Sequence, residues 1–216
     1  MATGKMTPGI MLATAVLVAV VEFVVAEVAA RVEVDSLVLV GGARVIQAVF
    51  ILVLVWRSQG LDSIGLYHAG LAKDVLRGIL WSLGFGVLVG CAALVLWLHG
   101  VNPVALIGSA GPAKFGWEMV LFLAVGCLLA PLVEEIVYRG VLFEFLRRWG
   151  TAVAVIASTL LFALSHGLQG GLPLMQGVGG LLFALAYARE GRLVVPMVIH
   201  VAGNTAIYAV SLVGGA

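Results

Sequence analysis

Charge is what this 216-residue chain has least of. Asp, Glu, Lys and Arg make up 11% of it and the formal net charge is +1. Soluble domains carry about a quarter charged residues, so a water-filled surroundings on all sides is excluded. The twelve Lys and Arg are scattered between apolar runs and form no basic stripe, which excludes a nucleic-acid partner. Cysteine occurs twice, at Cys91 and Cys127, each inside an apolar run where a thiol behaves as a small hydrophobe and says little about redox compartment. Fixed-period repeats and low-complexity tracts are missing as well, so a solenoid is excluded.

What is present is apolar residue in long runs: 62% of the chain is hydrophobic and the mean hydropathy is +1.17. Runs long enough to cross ~30 Å of hydrocarbon as helices fall at 10–30, 36–56, 77–98, 117–138, 151–168, 173–188 and 193–213. The reading is an all-α, polytopic transmembrane bundle of about seven spans, with an eighth, missed or re-entrant segment as the alternative. The first run contains Glu22 and Glu27 and is too long for a signal peptide, so it reads as a retained helix. The longest polar connection, 57–76, has room for one short interfacial helix. The chain 1–216 reads as one integral membrane domain.

Basic residues in short connections remain on the cytoplasmic side. Lys5, Arg57, Lys73, Arg77, Arg147, Arg148, Arg189 and Arg192 fall on the side of the N-terminus, against Arg31 and Lys114 on the other. The N-terminus is therefore expected to be cytoplasmic. Gly84, Gly86 and Gly90, and later Gly177, Gly180 and Ala184, have the spacing of close helix packing in lipid. Arg44 lies mid-span and needs a partner, for which Glu22 and Glu27 on the first span are available.

Three polar constellations then interrupt the apolar runs. In "EEIVYRG", residues 134–140, Glu135 and Arg139 have the i,i+4 order that favours an intrahelical ion pair. Glu134 points about 100° away and has no cation in its own segment. A poorly hydrated carboxylate is a stronger base, suited to taking a proton from water. "FALSH", residues 162–166, places His166 in the fifth span one turn after Phe162, and "HVAGN", residues 200–204, places His200 and Asn204 on one face of the last. A lone buried histidine is usually structural; three such sites on three spans are harder to read that way.

Glu134 and His166 are each 16 residues from the turn at Gly150, so a helical hairpin sets them level, ~24 Å from that turn. A protruding end carrying Glu144, Arg147 and Arg148 brings His200 to the same depth, with the site opening toward the cytoplasmic leaflet. Pro131 and Pro196, just before Glu134 and His200, are each expected to kink their helices and free carbonyls toward a wet cavity. Amide hydrolysis suits such a site: Glu134 activates water, His166 holds it or shuttles the proton, and His200 with Asn204 donate to the oxyanion. The set Glu134, His166 and His200 also matches a catalytic zinc site, so a divalent metal such as zinc is an alternative to metal-free chemistry. A peptide-binding immunity or scaffolding protein and a transporter or proton relay are rival uses of the same cavity.

In these three motifs the chain resembles the CAAX-processing and bacteriocin-processing (CPBP, or Abi) intramembrane proteases, whose EExxxR, FxxxH and HxxxN motifs it carries in order over about residues 117–210. The resemblance implies an endopeptidase acting on a membrane-anchored protein or peptide, lipidated or not, within the bilayer. It implies Glu134 as water-activating residue, His166 as its partner, His200 and Asn204 as oxyanion donors, and Glu135, Arg139, Phe162 and Tyr138 as supporting residues. Oligomeric state is silent in the sequence.

Overall fold

A computed structural model describes residues 6–106, 111–112, 115–167 and 173–214. Lys5 and Lys114, used above for orientation, lie outside the described residues. The described part is helical throughout, without strands. Seven helices follow one another: α1 Pro8–Ala29, α2 Ser36–Gln59, α3 Leu71–Leu98, α4 Trp117–Trp149, α5 Thr151–Ser165, α6 Leu174–Glu190 and α7 Val194–Gly214. Local chemistry marks the ends. Thr7 caps α1 by accepting the Ile10 N–H, with Pro8 in the first turn, and Asp35 caps α2 by accepting that of Leu37. Gly150, at φ 113°, makes the tight reversal from α4 to α5 that a side chain would resist.

Five of these helices, α1 to α4 and α7, are long and apolar enough to cross a membrane, and the protein is an integral membrane protein. The other two of the seven expected spans fall short of that standard. Helix α5 has 15 residues, about 22 Å at 1.5 Å per residue, less than the ~30 Å of hydrocarbon. It ends at Ser165, so His166 sits at its C-terminal cap instead of deep inside it.

Helix α3 starts at Leu71, six residues before the expected boundary, because the polar Asp74 is buried against Arg192 at 2.5 Å. Helix α4 continues past 138 to Trp149 and contains two π-helical stretches, Leu123–Leu129 and Ile136–Phe143. Pro131 lies between them. The expected kink at Pro196 is not needed: α7 begins at Val194, so Pro196 occupies its first turn, where a missing N–H leaves no helix bond unmade.

Arg44 pairs with Glu22 and also donates to Gln47, whose own amide donates to Glu22 at 3.0 Å, so α1 and α2 share a polar triad. Glu27 is taken by Arg31 at 2.5 Å. At one end of the bundle, Arg148 donates to the Met6 carbonyl, Arg192 binds Asp74 and the Ala69 carbonyl, and Arg77 lies 3.5 Å from Glu190. The start of α1, the α2–α3 connection, the end of α4 and the α6–α7 turn are thereby gathered together. The largest buried cluster, including Met6, Ile51, Phe143, Tyr187 and Leu193, fills this end.

The glycines divide into two groups. Gly180 packs against Phe162 and Ala184 is fully buried, as their spacing suggested, but Gly84, Gly86, Gly90 and Gly177 have nothing within 4 Å of a Cβ position. The close approach on α3 is instead at Gly78, where a Cβ would fall 2.6 Å from the Val198 Cβ and 3.0 Å from the Val195 carbonyl of α7. Gly78→Ala is expected to destabilise the protein by about 1–3 kcal/mol through overpacking, while Gly84→Ala leaves thermal unfolding in detergent unchanged or slightly raised; equal midpoints for the two variants would contradict this packing.

Candidate active site

Helix α4 presents two adjacent carboxylates in different directions. Glu135 turns inward, fully buried, and meets the equally buried Arg139 at 3.0 Å. Arg139 donates its other arm to the Gly180 carbonyl at 2.9 Å and lies over the Phe162 and Phe183 rings at 4.8 and 5.3 Å. A guanidinium so placed has exchanged water for a carboxylate, a carbonyl and two aromatic faces. The expected i,i+4 pair is present, and its role is larger than self-neutralisation. The same Glu135 oxygen, Oε1, lies 2.8 Å from Nδ1 of His200, which α7 brings in across the bundle. The His200 ring also stacks on Phe183, with centroids 4.3 Å apart and planes at 24°.

Protonation follows from these partners. A carboxylate only accepts, so Nδ1 of His200 carries a hydrogen, and in the neutral ring Nε2 presents a lone pair. His166 is arranged alike: Nδ1 lies 2.8 Å from the Phe162 carbonyl one turn back, so its Nε2 is also free to accept. Phe162 stands between the two histidines, 4.7 Å from one ring and 5.6 Å from the other. It spaces them apart and covers Arg139.

Both Nε2 atoms face Oε2 of Glu134, at 4.0 Å from His166 and 3.8 Å from His200. Direct hydrogen bonds are shorter, and these separations suit one bridging water. Three acceptors thus surround a gap, with side-chain exposures of 18% for Glu134, 32% for His166 and 5% for His200, so the gap is reached from the His166 side. The equal depth of Glu134 and His166 follows from their equal distance to Gly150.

Asn204 is placed differently from expectation. Its Nδ2 donates to the Gly126 carbonyl of α4 at 3.1 Å. Tyr138 meets the Phe162 ring edge-on at 5.2 Å. Its side chain joins an apolar groove of about 480 Å³ between α1, α4 and α5, lined also by Thr14, Val18, Leu142 and Leu161. The sequence did not single out Phe183 or Gly126 and marked Gly180 only as a packing position; a phenylalanine among apolar residues and two backbone carbonyls carry no signal of their own.

A tetrahedral zinc with bonds of about 2.0–2.1 Å sets its ligand atoms roughly 3.3 Å apart, closer than the 3.8 and 4.0 Å found here. Among the described residues no three His, Cys, Asp or Glu side chains are arranged to hold a metal ion.

Comparison with known proteins falls on the same part of the chain. Residues 116–206 match the sequence model of the type II CAAX prenyl endopeptidase Rce1-like family. The site-bearing segment is therefore similar to that family. Over 94 residues, 40% of this chain, it is 34% identical to the membrane-embedded CAAX protease MroQ of Staphylococcus aureus (strain USA300), and the chain spans well under half the length of that relative, 38%. Over 152 residues, 65% of the chain, it is 28% identical to an uncharacterized 24.3 kDa protein of Escherichia coli, covering 70% of it. No solved structure matches. The matched segment contains α4 to most of α7, hence every residue of the convergence.

Removing Glu135 leaves Arg139 buried without its counter-charge. Glu135→Ala is expected to lower stability by about 3–5 kcal/mol, read by thermal or denaturant unfolding in detergent; a change below about 1 kcal/mol would show that the pair is not a keystone.

Proposed function

We propose that this protein is an intramembrane endopeptidase that hydrolyses a peptide bond of a membrane-anchored protein or peptide by glutamate-activated water. The observation that carries the reading is the convergence of Glu134 Oε2 with two imidazole Nε2 atoms at 3.8 and 4.0 Å, in a segment similar to CAAX proteases. A water in that gap donates one hydrogen to Glu134 and the other to an Nε2, leaving an oxygen lone pair for the amide carbon. As the C–O bond forms, Glu134 takes the proton and the carbonyl oxygen becomes an oxyanion. The proton then passes to the departing nitrogen, directly or through His166, and the C–N bond breaks.

The oxyanion requires a donor, and His200 supplies one only when Nε2 is protonated. The buried Glu135 carboxylate 2.8 Å from Nδ1 fixes the ring so that Nε2 points at the gap in which the oxyanion forms. Glu135 is then a positioning residue and Glu134 the base, which accounts for two neighbouring glutamates with separate tasks. Metal-free chemistry is part of this reading, supported by the spacing of the donors.

The proposed orientation places the N-terminus in the cytoplasm, with the site opening toward the cytoplasmic leaflet. Support comes from the one end of the bundle at which Arg77, Arg148 and Arg192 gather the start of α1 with three inter-helix connections.

Glu134→Ala is expected to reduce cleavage of a membrane-anchored reporter by at least about 10²-fold with unchanged protein abundance; full turnover in the variant rejects the enzyme reading. Flux through sealed liposomes without cleavage would identify a transporter instead. Activity measured after exhaustive chelation is expected to persist, and its loss with recovery on adding zinc would reject the metal-free mechanism.

A further inference from the structure

Helix α4 has a backbone problem that its own sequence creates. In an α-helix the Gly126 carbonyl accepts the N–H of residue 130, and in a π-helix that of residue 131. Ala130 donates instead to Val125, in π register. Residue 131 is proline and has no N–H to give. The Gly126 carbonyl is thus passed over by both regular patterns, in an apolar span where an unpaired carbonyl is costly. Asn204 of α7 supplies the missing donor through Nδ2 at 3.1 Å.

We infer that Asn204 is a positioning residue: its carboxamide replaces the donor that Pro131 lacks, and this bond sets the register of α7 on α4 at which His200 faces Glu134. Three positions one turn apart on a single face of α7 meet α4 in succession. His200 reaches Glu135 at 2.8 Å, Asn204 reaches Gly126, and Tyr208 packs on Phe122 with ring centroids 4.8 Å apart. Asn204 is the directional contact at the centre of this seam, adjacent to the histidine that must be aimed. Apolar neighbours alone would tolerate sliding or rotation of α7; a hydrogen bond to one particular carbonyl does not. The kinetic part of the inference rests on the endopeptidase reading above, whereas the structural part does not.

The test is a double-mutant cycle among the wild type, Pro131→Ala, Asn204→Ala and the double variant. Thermal unfolding in detergent and the kcat and KM for a membrane-anchored reporter are measured for each. Asn204→Ala alone is expected to lower the midpoint and to reduce kcat roughly 10- to 100-fold, the cost of misplacing a catalytic group by about 1 Å, with KM little changed. Alanine at 131 restores an N–H that can serve α4 internally, so the same Asn204→Ala change then costs much less in both readouts. Equal losses in the two backgrounds overturn the proposal, and equal kcat losses with no effect on unfolding would make Asn204 a direct oxyanion donor. If no protein in the set cleaves the reporter, the endopeptidase reading fails and the coupling in unfolding still decides the inference. Should Pro131→Ala not accumulate, isotope-edited infrared spectroscopy of a labelled Gly126 carbonyl replaces it: Asn204→Ala should move the band to higher frequency, and an unmoved band overturns the proposal.

Discussion

One buried carboxylate oxygen ties the site to the fold. Oε1 of Glu135 meets Arg139 of its own helix at 3.0 Å and His200 of α7 at 2.8 Å, inside a bundle with little else to neutralise it. Charges buried this deeply persist only when their partners are held in place. Holding them is the task of the surrounding packing. Arg139 spans from Glu135 to the Gly180 carbonyl of α6 and lies under Phe162 of α5, so four helices are joined through two side chains. Glu134, next in sequence and directed elsewhere, is left to face the two imidazoles.

Helix α5 solves a second problem. The last carbonyls of a helix have no N–H partners within it, and lipid cannot satisfy them. His166 takes the Phe162 carbonyl itself, and the same bond commits Nδ1 and frees Nε2 toward Glu134. Backbone economy and the chemistry of the site are therefore one feature. The pairing of Asn204 with Gly126 follows the same principle on α4: irregular backbone in a membrane is tolerated where a side chain from a neighbouring helix completes it.

Much of this was legible before any coordinates. The i,i+4 spacing of Glu135 and Arg139 predicted their pair, the equal distance of Glu134 and His166 from Gly150 predicted their common depth, and Arg44 was assigned a carboxylate on α1. Other expectations failed for identifiable reasons. The π-helical stretches of α4 leave no mark on hydropathy, so the orphaned Gly126 carbonyl was hidden. A proline reads as a kink unless the helix start is known, and Val194 moves Pro196 into the first turn. Glycine spacing marks a surface able to pack, not which one does, and the contact on α3 fell at Gly78.

Composition and local spacing determined the medium, the helical class and which residues bear the chemistry, because hydropathy and helix geometry act within a single segment. Which nitrogen of His200 is free and what Asn204 touches were decided only by tertiary structure. Those properties depend on groups 65 and 78 residues apart in the chain, and no one-segment rule specifies how separate helices rotate against each other.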